Sequence, residues 1–235
     1  MIDDISIRVV KTLKTTLKQR GWVWADENRD MIERRWRESL AEKPKLFNGR
    51  VLLIGEYSEG EDAIEANYFE TYFADFLAWL RADCPDRTVG NGFASAALRC
   101  ADGAYICGVM GHHTANAGRI YFPGGTPDRH DILPDGRVDL HTSVLRELEE
   151  ETGLLASDVT IADHWIVARW WPFVSFMRPM QLTDEAPGVV ERLTATLARQ
   201  KDPELTGFKI VRGVEDIDRE RMPEFVQAFF RQAWR

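Results

Sequence analysis

Hydrophobic and polar positions follow a helical period in most of the first 90 residues. The pattern predicts amphipathic helices over residues 5–18, 29–42 and 67–84, and one strand over residues 50–57. Pro85, followed by Gly90-Asn91-Gly92, forms the best candidate boundary. The sequence therefore predicts an N-terminal extension over residues 1–90, made of helices plus one strand, and a second domain over residues 91–235.

After residue 90 the pattern changes to short strands around turns. Strands are predicted over residues 93–100, 104–110, 118–122, 159–171, 173–182 and 207–212. Helices are predicted over residues 140–152, 187–199 and 223–234. Strands that alternate with helices able to cover them favour an α/β (α+β) sandwich over a helical bundle.

Charge and composition narrow the possible partners. The 235 residues carry a net charge of -8 with acidic and basic residues interspersed, so a basic footprint for a nucleic-acid polymer is missing. The three cysteines form no C-x-x-C pair, which is typical of reduced thiols. Because the first residues lack an apolar signal core and no apolar run has transmembrane length, we expect a cytoplasmic protein without membrane contact.

The predicted helix over residues 140–152 carries the most informative residues. Glu147, Glu150 and Glu151 fall within an arc of roughly 100° on this helix. The adjacent arc is apolar and consists of Val144, Leu145 and Leu148. Asp139 is placed to cap the helix and Gly153 to end it. The three carboxylates therefore lie beside the buried stripe of the helix rather than opposite it.

These three glutamates repel one another. Like charges at i,i+3 and i,i+4 cost about 0.2–0.5 kcal/mol per pair, and the C-terminal half of a helix favours cations instead. A hard divalent cation with oxygen ligands would convert the repulsion into binding. Arg146 can reach Glu150 at i+4 and orient its carboxylate. The alternative interpretation is a solvated acidic face, which is what most charge runs are.

The residues around this helix resemble the signature of the Nudix hydrolases. Tyr121-Phe122-Pro123-Gly124-Gly125 precedes a string R-E-L-x-E-E-x-G-L that begins at Arg146. The family signature is G-x5-E-x7-R-E-U-x-E-E-x-G-U, where U is bulky and aliphatic. Its first Glu falls on Val138 here, so residues 126–136 look like an expanded loop inside the signature. Asp135 or Asp139 is expected to replace that carboxylate in part.

The resemblance implies a Nudix-type α/β/α sandwich with a central mixed sheet, and hydrolysis of nucleoside diphosphates linked to another moiety. It implies that Glu147, Glu150 and Glu151 bind Mg²⁺ or Mn²⁺ with help from the Gly124 carbonyl. By the same analogy, the catalytic residues are Glu147, Arg146 and Glu150, with Arg146 as the orienting residue. The proton of the attacking water is expected to pass to Glu147 or to a carboxylate of a later loop.

The substrate is less well defined by the sequence. Residues 46–49 (LFNG) and 71–77 (TYFADFL) are similar to a segment of UDP-sugar-hydrolysing Nudix proteins, although helical packing alone would explain the aromatics. A nucleoside diphosphate sugar is therefore one candidate. Residues expected to contact substrate share positions near the signature or on later strands: Gly125, His112, Arg169 and Arg178. Surface roles are the alternative for the histidine and the two arginines.

A second class of function stays open, namely a non-catalytic Nudix module that senses a nucleotide or binds a protein. The complete glutamate trio disfavours this alternative, whereas Val138 in place of the first Glu favours it. For the hydrolase the expected partner is a small nucleotide substrate. The apolar residues within 67–84 must pack on the rest of the chain or on a second subunit, so a homodimer is also open.

Overall fold

A computed structural model describes residues 4–234. Within them the strands are β1 (Ser6–Val10), β2 (Thr12–Leu17), β3 (Arg50–Glu59), β4 (Ala63–Tyr72), β5 (Asn91–Arg99), β6 (Tyr105–Met110), β7 (Ile120–Tyr121), β8 (Gly124–Gly125), β9 (Thr160–Ile161), β10 (Trp165–Trp170), β11 (Phe173–Gln181) and β12 (Leu205–Val211). The helices are α1 (Val23–Glu27), α2 (Arg29–Glu42), α3 (Phe73–Arg81), α4 (Leu140–Thr152), α5 (Ala186–Leu197) and α6 (Glu224–Ala233).

The larger sheet is mixed and contains nine strands. Its main path runs β1-β10-β11-β5-β6-β12, while the short strands β7, β8 and β9 pair with β6, β5 and β11. The β11–β5 pair is parallel and the other pairs are antiparallel. This arrangement places the two-residue strand β8 directly beside the centre of the sheet.

Helices cover both faces of this sheet. Alternate residues of β5 point to opposite faces, so Ala94 and Ala96 pack with α4 and α5, whereas Ala97 packs with α6. On the α6 side the core is strongly aromatic, with contributions from Phe122, Phe225, Phe229 and Phe230. The predicted sandwich with a central mixed sheet is confirmed.

The smaller sheet has the order β2-β4-β3 and lies between two apolar layers. One face joins the same core cluster as Val144 and Leu148 of α4, and the other packs against α1–α3 around the buried Trp79. The Leu52 amide donates to the Pro127 carbonyl at 2.8 Å. Strand β3 is thereby attached to the segment that follows the two glycines of β8.

Two predicted helices of the first 90 residues are wrong. Residues 5–18 form β1 and β2, because β1 pairs with β10 and β2 pairs with β4, and β-branched residues such as Ile7 and Val10 suit strands better than helices. Residues 67–84 begin as strand β4, and α3 starts only at Phe73. Residues 4–90 therefore contain four strands and three helices instead of helices plus one strand. The domain boundary at residue 90 stays a prediction.

No helix within residues 4–234 is long and apolar enough to cross a membrane.

Replacing Trp79 by Ala tests whether the smaller sheet and the larger sheet unfold together. The side chain is fully buried, and removing a buried Trp costs about 3–5 kcal/mol in the free energy of unfolding. Because one face of the smaller sheet shares a core cluster with buried residues of α4, and Leu52 bonds to Pro127, we expect one denaturant transition that shifts as a whole. The exposed Val23→Ala is the control, with a change below about 0.5 kcal/mol. Two separated transitions would contradict this expectation.

Candidate active site

Helix α4 begins and ends where the sequence predicts. The Asp139 carboxylate accepts hydrogen bonds from the amides of His141 and Thr142 at 3.1 Å, and Gly153 ends the helix with a left-handed φ of 75°. Val144 and Leu148 are fully buried in the core beneath it. Burial of that apolar stripe brings the neighbouring glutamates to the edge of the core.

This packing shields two carboxylates of α4 from solvent, Glu151 almost fully and Glu147 in part. Glu151 is only 4% exposed and accepts a hydrogen bond from the Gly124 amide at 3.0 Å. Burial raises its pKa well above the usual range, and the carboxylates of Glu147 and Glu204 raise it further. Burial also raises the pKa of Glu147 to about 7, although Arg146 opposes the shift. The two acidic groups therefore occupy an environment that disfavours their negative charge.

The two glycines of β8 allow backbone to approach these carboxylates. Gly124 has a φ of 157°, and a Cβ there would lie 2.2 Å from the Ala94 carbonyl oxygen, so only glycine fits. A Cβ on Gly125 would lie 3.0 Å from the carboxyl carbon of Glu147. The predicted neighbourhood of Gly124, Gly125 and the glutamates is therefore present in the structure. The Gly124 contact that it contains is a donated amide bond, and the ligand role of the Gly124 carbonyl stays a prediction.

Arg146 is held by a carboxylate that the sequence analysis does not single out. Its Nη2 lies 3.3 and 3.2 Å from the two oxygens of Asp131, and its Nη1 donates to Glu147 at 2.8 Å. Asp131 is 1% exposed and also accepts hydrogen bonds from the Ser143 hydroxyl and the Asp128 amide. These bonds fix the Arg146 guanidinium against Glu147.

The sequence predicts that Asp135 or Asp139 replaces the missing first Glu, but neither of them contacts the Arg146 guanidinium, which pairs with Asp131 instead. Asp139 is used to cap α4, and Asp135 forms a surface ion pair with Arg137 at 2.7 Å. Val138, at the family position, is buried in the core. Asp131 could not be found by spacing, because the expanded loop folds back and brings it to Arg146 from 15 residues away.

A further carboxylate, Glu204, faces the same place from the loop before β12. Its charge raises the pKa of Glu147, Glu151 and Tyr121. The Glu204 carbonyl accepts the Gly111 amide at 2.7 Å, which ties this loop to the loop after β6. The sequence gives no signal for Glu204 beyond a single acidic residue after Pro203, whereas the structure brings it near the helix.

The donors at this site suit a hard divalent cation. Mg²⁺ prefers oxygen ligands and is usually held by one or two carboxylates together with substrate phosphates. Glu147 and Glu151 provide two such carboxylates, whereas the Glu150 side chain is 61% exposed and lies 3.5 Å from Arg146. Within residues 4–234 no three or more acidic, histidine or cysteine side chains are grouped closely enough to hold a metal ion by themselves. The ligand role of Glu150 stays a prediction.

The other residues predicted to contact substrate make no described interaction with the glutamates of α4. Arg169 pairs with Glu59 at 3.6 Å, and Arg178 stacks over the ring of Trp165. Neither interaction involves a glutamate of α4. His112 is exposed in the loop after β6, the loop whose Gly111 bonds to Glu204. Substrate roles for these three side chains stay predictions.

Comparison with known proteins gives likeness of fold. No protein-family model matches the chain, and no curated protein sequence is similar to it. Among solved structures it resembles a Nudix hydrolase from M. smegmatis, with 14% identity over 60% of this chain and 82% of that chain and a TM-score of 0.40. It also resembles a NUDIX-family hydrolase from Clostridium perfringens, with 16% identity, coverage of 61% and 95%, and a TM-score of 0.36. It also resembles a protein from Deinococcus radiodurans, with 15% identity over 79% of this chain and 99% of that chain and a TM-score of 0.45.

Asp131→Asn tests the support of Arg146. The substitution keeps the shape of the side chain but removes the charge that faces the guanidinium. We expect the free energy of unfolding to fall by on the order of 1–3 kcal/mol, because Arg146 loses its buried anionic partner. Asp135→Asn is the matched control, since its ion pair is at the surface and is worth less than about 1 kcal/mol. Equal effects of the two substitutions would show that Asp131 does not hold Arg146.

Proposed function

We propose that this chain is a Nudix-type hydrolase that uses Mg²⁺ or Mn²⁺ to cleave a diphosphate linkage in a nucleoside diphosphate joined to another moiety. The observation that carries the proposal is the position of the buried Glu151 and the partly buried Glu147 against the backbone of Gly124 and Gly125. Among the described residues Glu151 has no cationic partner, so its charge is left to be balanced by a bound cation. A nucleoside diphosphate sugar is the candidate substrate class, from the resemblance of residues 46–49 and 71–77.

A divalent cation at this place would neutralise diphosphate oxygens and lower the pKa of a water molecule. The chain's own residues would position the reacting groups. Asp131 holds Arg146, and the Arg146 fork holds Glu147 in one orientation. The Gly124 amide donates a hydrogen bond to the Glu151 carboxylate and so also limits its orientation.

A base is also needed to accept the proton of the attacking water. Two carboxylates are candidates, Glu147 within the helix and Glu204 in the later loop. A base works best when its pKa lies near the working pH, which suits the value of about 7 for Glu147. Glu204 has the advantage that no ion pair with Arg146 holds it, while its charge acts on Glu147 and Glu151 from the loop before β12. We propose Glu204 as the base, with Glu147 retained as a cation ligand.

The reaction is tested by incubating the protein with nucleoside diphosphate sugars, dinucleoside polyphosphates and nucleoside triphosphates. Mg²⁺ or Mn²⁺ is added, and each product is identified by mass spectrometry. We expect cleavage between the two phosphorus atoms of one class, and none after chelation of the metal. Tight nucleotide binding without any cleavage would contradict the proposal and would support the non-catalytic alternative.

Glu151→Gln tests the cation site through two effects of opposite sign. At neutral pH without divalent metal the variant should melt at a higher temperature than the wild type. Folding forces Glu151 either to take up a proton or to bury its charge, whereas Gln is neutral in both states and still accepts the Gly124 amide. With Mg²⁺ or Mn²⁺ the wild type should gain stability by mass action, and the variant should lose most of that gain. Glu149→Gln, an exposed change on the same helix, should behave like the wild type in both conditions. An undiminished metal response in Glu151→Gln would place the cation elsewhere.

Glu204→Gln separates the base from the cation ligands. Loss of a general base lowers kcat by about 100-fold or more, whereas the metal-induced rise in melting temperature should be retained. The comparison is with Glu147→Gln, which should lose both activity and metal response. If Glu204→Gln turns over at the wild-type rate, the proton is accepted by Glu147 or another group.

A further inference from the structure

A cavity of about 610 Å³ opens where the N-terminal loop before β3 meets the segment after β8. Its volume lies within the range of about 300–1,000 Å³ that small-molecule sites occupy. The residues that define its chemistry are Phe47, Arg50, Tyr72, Thr126, Arg129 and His130. We call this cavity the β3 pocket.

Aromatic faces in the β3 pocket are open to solvent. The Phe47 residue is 82% exposed and Tyr72 is 41% exposed, although large aromatic side chains are normally buried. The Arg50 guanidinium lies over the Tyr72 ring, 3.7 Å from its centroid. Aromatic rings and guanidinium planes are the surfaces on which nucleic-acid bases stack.

The loop that carries Phe47 is held at both ends. Lys45 forms an ion pair with Asp202 at 2.7 Å, and the Lys43 ammonium donates to the Thr114 carbonyl. On the other side, the Asn48 side chain accepts the Ala74 amide at 2.8 Å. These contacts link the loop to the loop that contains Glu204 and to the loop after β6. Phe47 is therefore positioned rather than left on a free segment.

Two arginines provide the β3 pocket with hydrogen-bond donors for a phosphate. Arg50 and Arg129 both pair with Glu70, at 3.7 Å and 2.8 Å respectively. Neither guanidinium has another carboxylate within ion-pair distance in the described part of the chain. Asp128 also lines the pocket, so the two guanidinium charges are matched by two carboxylates, and a phosphate would be held by free guanidinium N–H donors rather than by surplus positive charge.

The β3 pocket adjoins the glutamates of the candidate active site. Gly125 lies against Glu147, and the next residue, Thr126, lines the pocket. A ligand in the pocket would therefore direct its neighbouring phosphates towards Glu147 and Glu151.

We propose that the β3 pocket binds the nucleoside of the substrate, with the base stacked against Phe47 and the Tyr72–Arg50 pair. The position of the diphosphate in this assignment rests on the proposed function, whereas the stacking of the base rests on the pocket residues alone. The assignment gives the first 90 residues a role in choosing the substrate, because three of the six residues that define the pocket chemistry would then face the ribose, the phosphate or the base from β3, β4 and the loop before β3.

The binding test uses metal-free full-length protein, two nucleoside monophosphates (uridine and adenosine 5′-monophosphate) and ribose 5-phosphate, followed by calorimetry. We expect at least one nucleotide to bind at least about tenfold more tightly than ribose 5-phosphate, since one base–aromatic stack has about that value. Phe47→Ala should remove this advantage without changing ribose 5-phosphate binding, and Phe47→Trp should restore it. Val214→Ala, another exposed apolar change, is the control. Nucleotide binding that is absent, or unaffected by Phe47→Ala, overturns the assignment.

Kinetics separate this proposal from the proposed function. In an active protein, Phe47→Ala should raise KM about tenfold and leave kcat nearly unchanged, because stacking contributes equally to substrate and transition state. If the wild type cleaves its substrate and Phe47→Ala leaves KM unchanged, the pocket assignment is wrong, whereas the proposed hydrolase activity stands. If the wild type cleaves nothing, but binds nucleotide and Phe47→Ala removes that binding, the pocket assignment is correct and the proposed hydrolase activity is wrong.

Discussion

Burial of the Glu151 carboxylate, with Glu147 partly buried beside it, is the constraint on which the rest of the candidate site depends. Their position follows from the apolar stripe of α4, because Val144 and Leu148 cannot enter the core without bringing the adjacent glutamates to its edge. Buried charges are costly unless they are paired. The Gly124 amide and Arg146 reduce that cost but do not remove it, since the pKa values of both glutamates stay raised.

The expanded loop provides the remaining support. Asp131 lies in this loop and pairs with Arg146, although its position in the sequence differs from that of the first Glu in the family signature. The same loop is attached to the smaller sheet through the Leu52–Pro127 hydrogen bond and the pairing of Val51 with Asp128. The N-terminal residues thus stabilise the loop that fixes Arg146. This connection gives a physical reason for the extension besides its contribution to the β3 pocket.

Sequence reasoning succeeded where one local interaction decides the structure. The bounds of α4, its Asp139 cap and its Gly153 end all depend on neighbouring residues, as does the burial of Val144 and Leu148. It failed where a distant partner decides. Residues 6–17 become strands because β10 and β4 are available to pair with them, and no local period contains that information. Asp131 and Glu204 were missed for the same reason, since each reaches the site through loop folding over a long separation.

The central claim is that a divalent cation is bound beside Glu147 and Glu151. Anomalous X-ray scattering from crystals grown with Mn²⁺ measures this directly, because the peak locates the metal without assumptions about activity. The account predicts a peak within ligand distance of oxygens from both carboxylates, on the side of the helix that faces Gly124 and Gly125. Saturating Mn²⁺ with no peak at this position, or a peak bound only by the exposed Glu150, would contradict it.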